Sequence, residues 1–136
     1  MPVPEFKPGF RFSRFDALVL ASGIIGFLFV WSQARWISFV IGFAVFHFFL
    51  FCNVFRIARN LELIWASIFV ALTACTVIAR FPGWLVTILA SLAATIAVVA
   101  IELTKPSYHG VAWRRINPNL REWWDSIGAS QFMHAE

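Results

Sequence analysis

The chain has 136 residues, of which 60% are hydrophobic and only 13% charged, with a formal net charge of +4. Soluble domains carry about 25% charged residues, and a chain this short buries too small a share of its surface to hide such an apolar excess from water. An ordinary water-soluble domain is therefore excluded, and the basic clusters beside apolar runs speak for orientation in a membrane and contact with anionic headgroups rather than for nucleic acid.

In chain order, residues 1–13 read as an extended cytoplasmic arm. Pro2, Pro4 and Pro8 discourage a helix there, while Phe6, Phe10 and Phe12 can dip into the membrane interface. Ser13 with Asp16 three residues on has the pattern of a capping box and opens the first span, near 15–33. Its apolar run is short, so it must borrow Phe15 and the turn before it. The second span, near 36–55, is rich in phenylalanine and bulky nearly all round. The third lies near 61–79, with Asn60 as its N-cap. The fourth lies near 83–104, with Pro82 in its first turn, where a missing N–H costs nothing. Spans of about 20 residues match the ~30 Å hydrocarbon core. The runs are continuous rather than alternating, which excludes a closed β-barrel.

The very short connections force neighbouring helices antiparallel. The expected fold is all-α: an integral membrane up-down four-helix bundle over residues 14–104, followed by a cytoplasmic tail, 105–136. Small residues mark the expected packing faces: Ser22 and Gly26 on span one, Ser67, Ala71 and Cys75 on span three, and Ala90, Ala93, Ala94 and Ala97 on span four. Cys52 and Cys75 fall at depths differing by roughly 15 Å, too far for a disulfide.

In the tail, Asn117-Pro118 opens a short amphipathic interfacial helix near 118–127. Leu120, Trp123, Trp124 and Ile127 share one face, and Gly128 is its expected stop. That face either lies at headgroup level or docks a partner protein.

Orientation follows from Lys and Arg. The side holding both termini and the second link carries Lys7, Arg11, Arg14, Arg56, Arg59, Lys105, Arg114, Arg115 and Arg121; the other carries Arg35 and Arg80. The bias places both termini in the cytoplasm, in keeping with a bacterial inner membrane. Trp31, Trp36 and Trp84 then form an outer aromatic belt.

Two places can carry chemistry. His47 lies near the midplane of span two, where an ionisable residue raises a functional hypothesis. It suits an axial ligand to a tetrapyrrole, a hydrogen bond to a quinone, or a proton relay. Its structural alternative is a neutral imidazole donating to a neighbouring helix, with Ser67, Thr73 and Thr87 as candidate partners. The second place is a polar collar at the inner boundary: Asp16, Asn53, Arg56, Arg59, Asn60, Glu62 and Glu102. It reads either as ion pairs fixing helix ends or as the mouth of a substrate or proton path. Glu102 is the best proton carrier, because burial raises a carboxyl pKa. No catalytic residue set and no metal-binding motif is present in the sequence, and Tyr108-His109 lack a third member to orient them.

Three roles fit. The first is a non-catalytic accessory or assembly subunit packed against other membrane subunits. The others are a small oligomeric proton-coupled transporter or channel, and a redox or pigment subunit using His47.

Overall fold

A computed structural model describes residues 6–133, with side chains as far as residue 128. Pro2, Pro4 and His134 lie outside the described residues. The structure is all-helical, with no strand among the described residues. Four stretches are long and apolar enough to cross a membrane: α1 (Arg14–Trp31), α2 (Arg35–Phe49) extended by a π-helical segment (Leu50–Phe55), α3 (Arg59–Ile78) and α4 (Trp84–Leu103). A short α5 (Trp113–Ile116) and an α6 (Leu120–Met133) follow.

The partition of side chains is the reverse of a soluble protein's. Ser38, His47, Thr76, Thr87, Ser91, Thr95 and Glu102 are buried, while Ile78 is 82% exposed, Leu85 72%, and Phe29 and Ile96 71%. Only a hydrocarbon solvent makes that arrangement favourable, since buried polar groups can bond one another and apolar groups lose nothing by facing lipid.

The chain forms two compact units. One contains the arm, α1, α2 and residues 109–113; the other contains 57–108 and the chain from Arg114. In the first, Ser13 accepts from the Asp16 N–H at 3.2 Å and the Asp16 carboxylate accepts from the Ser13 N–H at 2.6 Å. This is the reciprocal capping box that the sequence pattern implies. It lets the helix begin at Arg14, so the short first apolar run reaches span length.

The α1–α2 hairpin packs at a different small residue from those expected. Ser22 is exposed, and a Cβ on Gly26 would meet nothing within 4 Å. The close approach is at Gly23, where an added Cβ would stand 2.6 Å from Val45 Cγ2. Near the α1–α2 turn, Ser38 Oγ donates to the Phe27 carbonyl at 3.1 Å, tying the two helices by a polar bond.

Leu50–Phe55 ends in a left-handed residue, Arg56, with φ of 51°. A helix end leaves carbonyls without intrahelical donors, and here other segments supply them. Arg11 N–H donates to the Asn53 carbonyl at 3.2 Å and Val111 N–H to the Val54 carbonyl at 2.8 Å. Gly9 N–H in turn donates to the His109 carbonyl at 2.7 Å, and Phe6 meets Trp113 edge-on at 5.9 Å. Residues 6–12 of the arm form no helix, and the Arg11 N–H serves the end of α2.

In the second unit α3 and α4 pack through a hydroxyl seam, and of the four alanines expected to pack on α4, Ala90 and Ala94 are half-buried. Ala93, Ala97, Ser67, Ala71 and Cys75 are exposed, whereas Thr76, Thr87, Ser91 and Thr95 are buried. The Thr76 and Thr87 hydroxyls bond each other at 2.6 Å. Trp65 Nε1 donates to Thr95 Oγ1 at 2.8 Å and to the Ser91 carbonyl at 3.1 Å, and its ring stacks on Phe69 at 5.2 Å. Interhelical bonds of this kind average about 0.6 kcal/mol and reach ~1.7. Trp65→Phe, which keeps the stack and removes the donor, is expected to cost about 1 kcal/mol in a denaturant titration in mixed micelles.

Three boundaries differ from expectation. The N-cap of α3 is Ala58, and Asn60 lies inside the first turn. Pro82 precedes the N-cap of α4, Gly83, whose φ of 95° suits glycine. α6 runs through Gly128 to Met133, because one glycine costs a helix only about 1 kcal/mol.

Candidate functional site

The π-helical end of α2 gathers the polar residues of the first unit. Widening the backbone by one residue changes the register of the residues after it, a device common at functional positions. Asn53, 1% exposed, turns its amide nitrogen to the Arg11 carbonyl at 2.5 Å and the Asp16 Oδ2 at 2.9 Å. Asp16 is thus held by Ser13 and Asn53 together. Arg56 Nη1 donates to the Lys7 carbonyl at 2.7 Å. Burial pulls the Arg56 pKa below its ordinary value, with the neighbouring Arg11 charge acting in the same direction. A guanidinium nonetheless stays charged.

Above this cluster His47 is buried, and its Nδ1 bonds the Phe43 carbonyl one turn earlier on the same helix at 2.8 Å. A neutral imidazole therefore donates from Nδ1. The three residues named from the sequence as candidate partners lie in the second unit. Ser67 donates to the Leu63 carbonyl, Thr87 bonds Thr76, and Thr73 Oγ1 is buried without a hydrogen-bond partner. The ring is packed against Phe43 at 4.3 Å, Phe46 at 5.4 Å and Phe51 at 5.7 Å. This aromatic cage surrounds the imidazole on its own helix.

In the second unit Glu102 is 3% exposed. Its Oε2 accepts from the Ala58 N–H at 3.2 Å and from Lys105 Nζ at 2.8 Å. The carboxylate thus stands at the N-terminus of α3, where helix N–H groups lack partners and negative charge is favoured. It acts as a remote cap that joins the end of α4 to the start of α3. Tyr108 is fully buried nearby, and burial pushes its phenol up from the ordinary value, with the Glu102 charge adding to the effect.

The collar read from the sequence as one ring therefore resolves into separate networks. Asp16 and Asn53 join one, with Arg56 bonded to the arm beside it, and Glu102 joins another. Arg59 is exposed and Glu62 half-buried. Lys105 lies only three residues past Glu102, a spacing at which the pair could have been read; the Ala58 N–H was not legible as a partner, because it is 44 residues away and the chain that brings it there carries no pattern. Leu120 is buried, so of the expected docking face only Trp123, Trp124 and Ile127 reach the surface of α6.

On α4, Ser91 donates to the Thr87 carbonyl and Thr95 to the Ser91 carbonyl.

These features define a small polytopic helical membrane protein whose spans are locked by local polar bonds. No family model, curated protein or solved structure matches the chain.

Proposed function

We propose that this protein is a non-catalytic accessory or assembly subunit of a larger membrane complex, with both termini in the cytoplasm of a bacterial cell. One observation carries the reading: apart from the Thr73 hydroxyl, the buried polar side chains of the spans have structural employment. His47 bonds its own backbone, Ser38 ties α2 to α1, the Thr and Ser hydroxyls serve the α3–α4 seam, and Glu102 caps α3. The outward surface is then a broad apolar face suited to other membrane helices. Beyond it, α6 offers Trp123 and Trp124, whose rings meet edge-on at 6.3 Å. Tryptophan is favoured where partners anchor.

The test is native electrophoresis after mild detergent extraction. The intact chain is expected to migrate within a larger assembly. Trp123→Ala with Trp124→Ala is expected to weaken that association by about 30-fold or more, as a hot-spot pair does. Substitution is preferred to deletion of 117–128, because Leu120 is buried and Asn117 bonds the Pro106 carbonyl at 2.6 Å. A chain that runs alone in every mild detergent, or that purifies with a Soret band or an extractable quinone, overturns this reading. The Soret band or quinone would favour the redox role at His47.

A further inference from the structure

The α1–α2 hairpin carries an apolar groove of about 260 Å³, lined by Leu20, Gly23, Phe27, Gly42, Val45 and Phe49 among others. It is smaller than the ~300–1,000 Å³ pockets that enclose drug-sized ligands, and it is open along its length. That shape suits a flexible alkyl chain rather than a rigid ring system. Gly23 and Gly42 let the two helices close up beneath it: an added Cβ would stand 2.6 Å from Val45 Cγ2 and 3.2 Å from Phe27 Cδ2, respectively.

Its depth is informative. Counted from Arg14 at 1.5 Å per residue, Leu20 to Phe27 lie about 9 to 20 Å along the helix. One leaflet of a ~30 Å hydrocarbon core is about 15 Å deep. The groove thus begins in the tail region of the leaflet at the basic end of the hairpin and runs about 5 Å past the midplane. At that end Phe10 and Phe12 meet the lining residue Phe49 edge-on at 6.0 and 6.2 Å. Arg11 lies between them on the arm, held by its backbone bond to Asn53, and Arg11 and Arg14 are both exposed. Lys7 and Arg56 add two more cations, against the single carboxylate of Asp16.

From the apolar groove and the fixed cationic mouth at its headgroup end, we infer that this hairpin binds one anionic glycerophospholipid, with an acyl chain in the groove and its phosphate at Arg11 and Arg14. Basic sites between membrane helices select anionic headgroups in this way. The site lies wholly within one unit and is independent of the accessory role.

The test uses the full chain in micelles doped with phosphatidylglycerol or phosphatidylcholine, read by native mass spectrometry. One phosphatidylglycerol is expected to stay bound, at lower lipid concentration than phosphatidylcholine requires. Arg11→Gln with Arg14→Gln is expected to weaken phosphatidylglycerol retention about twentyfold and leave helicity unchanged, since neither side chain supports a helix. Ile24→Trp, at the rim, is expected to fill the groove and lower retention of both lipids. Equal binding of the two lipids, or retention unchanged in the arginine variant, overturns the inference. So does a dimer cross-linked through Cys introduced at Ile24, which would place a second copy in the groove.

Discussion

Glu102→Ala is expected to lower the unfolding free energy by about 2–3 kcal/mol, the largest loss from any single polar truncation in the chain. The carboxylate is buried and receives the Ala58 N–H at the start of α3. A hydrogen bond to a charged group contributes about 1.5–3 kcal/mol, and the orphaned donor left behind carries a desolvation cost. Lys105 contributes less, because its side chain is 33% exposed and can turn to headgroups or water once its partner is gone. The graded series decides between a cap and an ion pair. If the cap dominates, Glu102→Gln keeps an acceptor and loses about 1 kcal/mol, and Lys105→Met loses less than that. If the ion pair dominates, Lys105→Met falls as far as Glu102→Ala. Denaturation in mixed micelles gives all three values.

That outcome bears on what the sequence could reveal. The four spans were legible because continuous apolar runs of membrane length have few other meanings. The capping box at Ser13 was legible for a similar reason, since both partners lie within one turn. The polar collar was legible only as a level. Its residue types said that charges meet near the helix ends, but pairing is decided by loops. Glu102 finds Ala58 across 44 residues, and Asn53 finds Asp16 only after a π-helical turn that no residue pattern announces. For His47 the partners expected from the sequence lie on neighbouring helices rather than on its own backbone. In a helix the carbonyl one turn back is always within reach, and Phe43 supplies it.

The small-residue rule failed more instructively. It treats every alanine or serine stripe as a contact, whereas in α4 the alanines Ala93 and Ala97 face outward and the hydroxyls Thr87, Ser91 and Thr95 face in. Lipid reverses the usual preference, because a threonine facing hydrocarbon must satisfy its hydroxyl alone, and an alanine there has nothing to satisfy.

Glycines on α1 allow the sharpest separation of packing from composition. Gly23→Leu is expected to cost about 3 kcal/mol and Gly23→Ala about 1–2 kcal/mol, as overpacking does in closely packed sites. An added Cβ at Gly23 would lie 2.6 Å from Val45 Cγ2 and 3.0 Å from Cγ1. Valine in a helix has essentially one rotamer, so the ring of close contacts cannot open by a side-chain turn and the two helices must part. Gly26→Ala is the control: open space surrounds it, and the gain in helix propensity, up to about 1 kcal/mol, is expected to appear as a small stabilisation. Val45→Ala should rescue Gly23→Ala. Removing both Cγ atoms leaves only the tight contact with Val45 Cβ at 3.3 Å, so the double-mutant cycle is expected to show a favourable coupling of about 1 kcal/mol or more. Additive losses at the two positions would mean that α1 and α2 do not meet at Gly23. The hairpin would then be held by the Ser38 bond near its turn and by its capped end at Ser13 alone.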